Sequence, residues 1–314
     1  MLKLVEPDTA GDPQSSQKWV RVSLRQLAAQ LAPTAQAIST PTIRRILQQN
    51  DYSLRVNAKE KEPGGQPPAR NEQFEYIETQ IAQFRASGQP IISADTKKKE
   101  LIGDFKQAGQ AWVQEPIEVN AHDFPTPALG RAVPYGIYDV TRNTGALYVG
   151  QSSDTPEFAV AALLRWWQEL GRAQYPTATA LLILVDAGGS NGCRPHLWKA
   201  ELQAQLCNAL GLTVTVCHYP TGCSKWNPIE HRLFSAISQN WAGQPLRTLE
   251  TMLGYIAGTT TKTGLQVTAS LLTGVFKTGR RVAKAVMQAL NLEPHTVCPK
   301  WNYTIRPQAQ PAPV

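Results

Sequence analysis

The chain has 314 residues, of which 42% are hydrophobic and 18% charged, the composition of an ordinary soluble globular protein with room for a catalytic core of roughly 150–200 residues plus flanking modules. No run approaches the roughly 18 apolar residues of a membrane span, and MLKLVEPDTAGDPQSS has no signal-peptide core, so no membrane partner and a cytoplasmic, nucleoid-associated location are expected. The net charge of +7 divides into +4 over residues 1–70, −3 over 71–254 and +6 over 255–314, a pattern that fits flanks gripping a polyanion around a carboxylate-rich centre, or simply a solvated basic surface.

Residues 1–17 are polar and broken by Pro and Gly, and read as a linker or cut end. SLRQLAAQL then places Leu24, Leu27, Ala28 and Leu31 on one helical face behind Ser23 as N-cap. After Pro33, STPTIRRILQQNDY offers Ser39 or Thr40 as cap, Pro41 early, and an apolar face of Ile43, Ile46 and Leu47. Helix, turn, and a second helix with Thr42, Arg44 and Arg45 near its start have the layout of a helix-turn-helix DNA reader over 18–54, or of a plain helical hairpin. Residues 55–70 have linker composition.

An amphipathic helix follows, with Phe74, Ile77, Ile81 and Phe84 at helical spacing. QPIISAD is a strand ending on Asp95. VPYGIYDV and ALYVGQ form a hairpin around Thr141–Gly145. PEFAVAALLRWWQELG is a helix whose Trp166 and Trp167 belong to the core, and ATALLILVD is a strand buried on both faces, ending on Asp186. PHLWKAELQAQLCNALG, LTVTVCHYP and NPIEHRLFSAISQNW add a helix, a strand and a helix. This order describes an α/β fold, an RNase H-like mixed sheet flanked by helices over 71–254, with a basic extension over 255–314. The five cysteines form no C-x-x-C pair; Cys217, His218 and Cys223 resemble zinc ligands only loosely, and reduced thiols fit better.

Asp95 and Asp186 close apolar strands, where ligand sites of open α/β sheets gather. Glu230 falls in the first turn of the last core helix, behind Asn227 as N-cap and Pro228 at N1. Phosphodiester displacement activates an attacking oxygen and stabilises a leaving one, which two Mg²⁺ (or Mn²⁺) ions on a few carboxylates accomplish. Asp95, Asp186 and Glu230 are therefore the expected catalytic and metal-holding acids.

The segments ISADTKKKELIGDFK, HDFP, VPYGIYDVT, FAVAALLRWWQ, LVDAGGSNG, CHYPTGCSKWNPIEHRLFSAISQNW and KWNYTIRP, spread from about Gly11 to Pro307, resemble the Rhodopirellula-type DDE transposases of bacterial insertion sequences. The resemblance implies Asp95, Asp186 and Glu230 as first, second and third acid, two divalent ions, and a transposon end plus a target duplex as substrates. It also implies a chain shortened at its start, because GDP stands at Gly11–Pro13, and Ala187 replaces a glycine usual in relatives. A homo-oligomer assembled on DNA is expected. Lys97 and Lys98 after Asp95, Asn191 in the loop after Asp186, and Lys262, Arg280 and Arg281 (with Lys277 and Lys284) in the basic flank are further candidate DNA contacts. His231 points about 100° away from Glu230 on a helix and reads as packing or surface rather than as a proton shuttle. A non-catalytic regulator derived from a transposase, and an RNase H-like nuclease, share these features.

Overall fold

The computed structural model describes residues 9–11, 18–20, 23–33, 38–50, 52, 69–223 and 226–309, which fall into two units, Met1–Pro63 and Gly64–Val314. In the first unit, β1 (Thr9–Gly11) pairs antiparallel with β2 (Lys18–Val20). The stretch read as a linker over 1–17 thus contains a strand. Helices α1 (Leu24–Leu31) and α2 (Thr40–Gln49) bury Leu27, Leu31 and Ile43 against one another, with Leu24, Ala28 and Leu47 packed around them. Ser23 makes a reciprocal capping box with Gln26, and Ser39 caps α2 by accepting from the Thr42 N–H; each cap satisfies donors the first helical turn leaves open. Arg44 and Arg45 are exposed, while Thr42 is half-buried with its hydroxyl 3.0 Å from that of Ser39. The linker expected over 55–70 lies outside the described residues up to 68.

The second unit begins with α3 (Arg70–Ala86). Strands β3 (Ile91–Thr96), β4 (Glu100–Ile102), β5 (Gly130–Asp139) and β6 (Thr144–Gly150) follow. Then come α4 (Pro156–Trp166), β7 (Ala180–Asp186), α5 (His196–Glu201) and β8 (Thr213–Tyr219). The π-helical turns Trp167–Gly171 and Leu202–Asn208 prolong α4 and α5, and a third, Glu230–Phe234, leads into α6 (Ser235–Asn240). The chain closes with α7 (Leu249–Ala257), β9 (Gln266–Leu271), α8 (Lys284–Ala289), β10 (Leu292–Pro294) and β11 (Asn302–Ile305).

The sheet runs β10-β11-β8-β7-β3-β5-β6-β9, with β4 added on β5. Its centre, β6-β5-β3-β7-β8, has β3, β7 and β8 parallel and β5 antiparallel to both neighbours. That is the strand order of an RNase H-like sheet, as expected. The hairpin between β5 and β6 turns where the sequence places it, with Asn143 at φ 54°, a left-handed conformation that Asn tolerates. Buried Asp139 secures the turn by accepting from the Thr141 and Arg142 N–H groups.

Helices cover both faces of the sheet. Alternate residues of the strands meet Phe158, Leu163, Trp166, Trp198 and Leu206 on one side. On the other they meet Ile77 and Ile81 of α3, and Ile229, Leu233, Phe234 and Met252 from the α6–α7 region. Dense burial on both sides explains why ATALLILVD reads as an unbroken apolar run.

The sheet does not stop at residue 254. Strands β9 and β11 flank it on opposite sides, β11 against β8 and β9 against β6. The flank read as a basic extension therefore supplies structural strands. Each covers an edge that would otherwise expose unpaired backbone groups.

Candidate active site

The register of the central strands decides where the acids lie. Strand β3 pairs with β7 through Ile91↔Leu182, Ile92↔Ile183 and Ser93↔Leu184. Carried two residues further, the same offset sets Asp95 level with Asp186. Side chains alternate along a strand, so Asp95 shares its face with Ile91 and Ser93, and Asp186 shares its face with Leu182 and Leu184. Ile91, Leu182 and Leu184 pack on the α3 side, and Ser93 meets the segment entering α6. Glu230 arrives on that same face.

A small polar relay ties the three positions together. The Asn227 amide donates to Asp186 Oδ1 at 3.1 Å. The Ser93 hydroxyl donates to Asn227 Oδ1 and accepts from the Ile229 N–H at 3.2 Å. Asn227 was expected to cap the helix bearing Glu230; instead Ser93, from a neighbouring strand, takes the open Ile229 N–H, while the Asn227 Oδ1 accepts from the Ser93 hydroxyl and its amide is held by Asp186. Both Asn227 and Ser93 are fully buried, where an unmade hydrogen bond is expensive. The relay therefore fixes the helix entrance relative to both strand tips.

Behind Asp186 runs a second chain, with one consistent proton order. Trp198 Nε1–H donates to the Tyr303 hydroxyl at 2.9 Å, and Tyr303 lies 3.2 Å from His218 Nε2. His218 Nδ1 lies 3.0 Å from the Asp186 carbonyl. A carbonyl only accepts, so Nδ1 carries the proton and Nε2 accepts from Tyr303. Burial pushes the imidazole down to about 4, keeping it neutral. Tyr303 and its neighbour Asn302, which exchanges hydrogen bonds with Gln73, come from β11. Sequence reading placed that segment outside the core.

Burial raises all three carboxylates, and repulsion from neighbouring acids adds to the rise at Asp95 and Glu230. Asp95 is pushed up to about 8, first by desolvation, then by Asp186, with further contributions from Glu230 and Asp154. Asp186 and Glu230 are raised too, chiefly by burial, and Asp186 adds to the rise at Glu230. The acids thus sense one another, yet among the described residues no three His, Cys, Asp or Glu side chains converge closely enough to hold an ion. Two of the three are drawn to a protein partner: Asp186 to Asn227, and Asp95 to the Thr96 N–H at 2.7 Å. Asp95 lines a hollow of about 460 Å³ and Glu230 one of about 450 Å³, both bordered by Lys97 and Lys98. In donor chemistry the cluster suits a hard divalent cation, being all oxygen and negatively charged, with repulsion that such a cation would relieve.

The other candidates fall into two groups. Lys98, with its side chain 82% exposed, and Lys262, Arg281, Arg44 and Arg45, all exposed, are open to a polyanion. Lys97, Asn191 and Arg280 are engaged within the protein. Lys97 is buried, 3.8 Å from Glu100 and 4.6 Å above the Trp241 ring. Asn191 is 1% exposed, and its amide donates to the Ala94 carbonyl at 3.0 Å. It braces the loop after Asp186 against the strand carrying Asp95, and in this position it does not reach a surface ligand. Arg280 pairs with Glu157 and Glu201. Short-range sequence reading sees charge, but not the acid that folding brings to it.

Asp154 was missed. It accepts from the Thr96 hydroxyl at 3.1 Å, pairs with Lys99 at 3.4 Å and lines the Asp95 hollow. It stands just before the Thr155 N-cap of α4, where it reads as an ordinary helix-start acid. The signal available was its place shortly after β6, the strand two positions from β3 in the sheet.

A family model described as the Rhodopirellula transposase DDE domain matches residues 1–307. The chain belongs to that family. It is accordingly a DDE transposase with an RNase H-like core. No curated protein matches the sequence. Similar solved structures include the Mos1 transposase paired-end complex with left transposon end, at 12% identity over 78% of this chain and 73% of that one, TM-score 0.45. The Mos1 mariner paired-end complex with Mn gives 13% over 78% and 73%, TM-score 0.44. The corresponding complex with Mg gives 13% over 75% and 66%, TM-score 0.45. No described helix of the DDE transposase is long and apolar enough to cross a membrane.

Proposed function

We propose that this transposase cleaves the phosphodiester at the ends of its element and joins the freed 3′-hydroxyl to a target duplex at one centre formed by Asp95, Asp186 and Glu230. The observation that carries the reading is the shared register of Asp95 and Asp186 beneath the helix entrance of Glu230, with Asp95 raised to about 8 by burial and by its acidic neighbours. Two divalent ions, Mg²⁺ or Mn²⁺, held by these three carboxylates would supply charge neutralisation at the attacking and leaving oxygens.

The chain's own part is positioning. The Ser93–Asn227 relay orients Asp186 and the helix entrance, and the Trp198–Tyr303–His218 chain holds the Asp186 backbone. Water attacks in line first, and the released 3′-hydroxyl attacks the target strand second. No covalent protein intermediate is needed, so no Ser or Tyr nucleophile is invoked.

Thr42, Arg44 and Arg45 are the proposed readers of the transposon end, on the second helix of a helix-turn-helix. Lys98, Lys262 and Arg281 are proposed backbone contacts, and the active form is a homo-oligomer on DNA. A strand-transfer assay with a labelled transposon end and Mg²⁺ tests the whole. Joined product is expected; cleavage without joining would indicate a nuclease, and binding without either a regulator. Asp186→Ala should abolish cleavage while DNA affinity stays within a few-fold, and retained cleavage would overturn the assignment of that acid.

A further inference from the structure

The Asp95 hollow does not end at Asp154. Asp154 also borders a second cleft of about 570 Å³, walled by Arg194, His196, Lys277 and Arg281. Arg194, Lys277 and Arg281 are exposed and have no carboxylate partner among the described residues. The one acid on this wall, Asp154, is already taken by Lys99 and Thr96. Unpaired cations crowded into a concavity repel one another, an arrangement relieved by a bound polyanion.

The wall bearing Lys277 and Arg281 is built in place. The Phe276 ring packs on Phe158 with centroids 5.3 Å apart, and its N–H donates to the Ser152 hydroxyl at 3.1 Å. Arg280 is clamped by Glu157 and Glu201. Phe276 and Arg280 hold the segment down, and Lys277 and Arg281 are left lining the cleft.

We propose that this cleft is a subsite for the sugar–phosphate backbone of the DNA strand where it runs past the scissile phosphate, held by Arg194, Lys277 and Arg281. The inference rests on the proposed cleavage centre for its direction, because the two hollows adjoin at Asp154. Arg194 is its new member, since sequence reading did not draw it among the candidate DNA contacts. Free polyphosphate offers the same anionic chemistry, and the experiment separates the two sources.

The test is a fluorescence-anisotropy titration of the full chain with two labelled oligonucleotide sets. One ends at the scissile phosphate and the other continues a few nucleotides beyond it, on either side. The unmodified chain should bind one of the extended forms more tightly. Arg194→Ala/Lys277→Ala/Arg281→Ala should lose that gain, weakening the extended form more than the short one. Each phosphate contact contributes about 0.9 to the slope of log K against log salt, so three contacts make the unmodified chain lose about 40-fold more affinity than the variant between about 50 and 200 mM salt. Arg194→Gln alone should reproduce about a third of the slope change, which guards against a misfolded triple variant.

An unchanged slope, or equal losses for short and extended DNA, would overturn the subsite. Competition by inorganic triphosphate as effective as by extended DNA would make the cleft a polyphosphate site instead, and would overturn it too. Cleavage by the unmodified chain is scored separately, so failure of the subsite leaves the cleavage centre standing, and the reverse.

Discussion

Gly136 lies opposite Asp95 in the β3–β5 register, beneath the helix that starts at Glu230. A Cβ added there would sit 2.4 and 2.8 Å from two Phe234 ring carbons and 3.1 Å from Ile229 Cδ1. The nearest contact is 1.0 Å short of the 3.4 Å at which ordinary contact begins, so Gly136→Ala forces the ring, and the turn carrying it, away from the sheet. Overpacking of this kind costs about 1–3 kcal/mol, which in a domain of this size lowers Tm by roughly 2–12 °C. Glu230 lies between Ile229 and Phe234 on the displaced turn, and a shift near 1 Å in catalytic geometry costs about 100-fold in rate. Melting followed by circular dichroism, with single-turnover cleavage of a labelled transposon end, measures both effects. Phe234→Leu in the Gly136→Ala background should restore part of each, because it removes the ring that is struck. A Gly136→Ala protein with unchanged Tm and cleavage would refute the tight seating of this helix on β5.

Two further predictions concern protons and metal. Asp95, raised to about 8 in the folded chain from an ordinary value of 3.8, binds its proton more tightly when folded, so its contribution to stability is full below about 4 and is lost as pH rises through about 8. In EDTA, Tm should therefore fall between about pH 4 and 8, and Mg²⁺ or Mn²⁺ should flatten that fall by favouring the ionised carboxylates; a Tm that ignores both pH and metal would contradict the convergence of the acids. His218 has the opposite sign. Lowered to about 4, it binds its proton less readily when folded, so stability is lost as pH falls from about 6.5 toward 4, by about 3 kcal/mol in all. His218→Gln should remove that part of the acid sensitivity, seen as a flatter Tm profile over the same range, and an unchanged profile would show that the imidazole is not the group responsible.

Much of the second unit was legible in the sequence because its signals are local. Apolar runs ending on Asp95 and Asp186, the hairpin chemistry of Thr141–Gly145, and the amphipathic helices each depend on residues close together in the chain. The caps at Ser23 and Ser39 were legible for the same reason. Asp95 and Asp186 stand 91 positions apart, the offset of the β3–β7 register, but it is the pairing of the folded strands that sets this offset.

Tertiary structure decided what depends on partners far apart in the chain. Only folding shows that Ser93, rather than Asn227, satisfies the helix entrance, that Asn191 is turned inward, and that Glu157 and Glu201 claim Arg280 while Arg281 has no acidic partner among the described residues. Nor could periodicity show that Tyr303, 117 residues beyond Asp186, stands behind it through His218, since β11 joins the sheet by long-range pairing that leaves no local trace. The sequence by itself determined which elements form and which residues are acids. Burial and hydrogen bonding between distant segments determined which charges are spent inside the protein and which remain for a ligand.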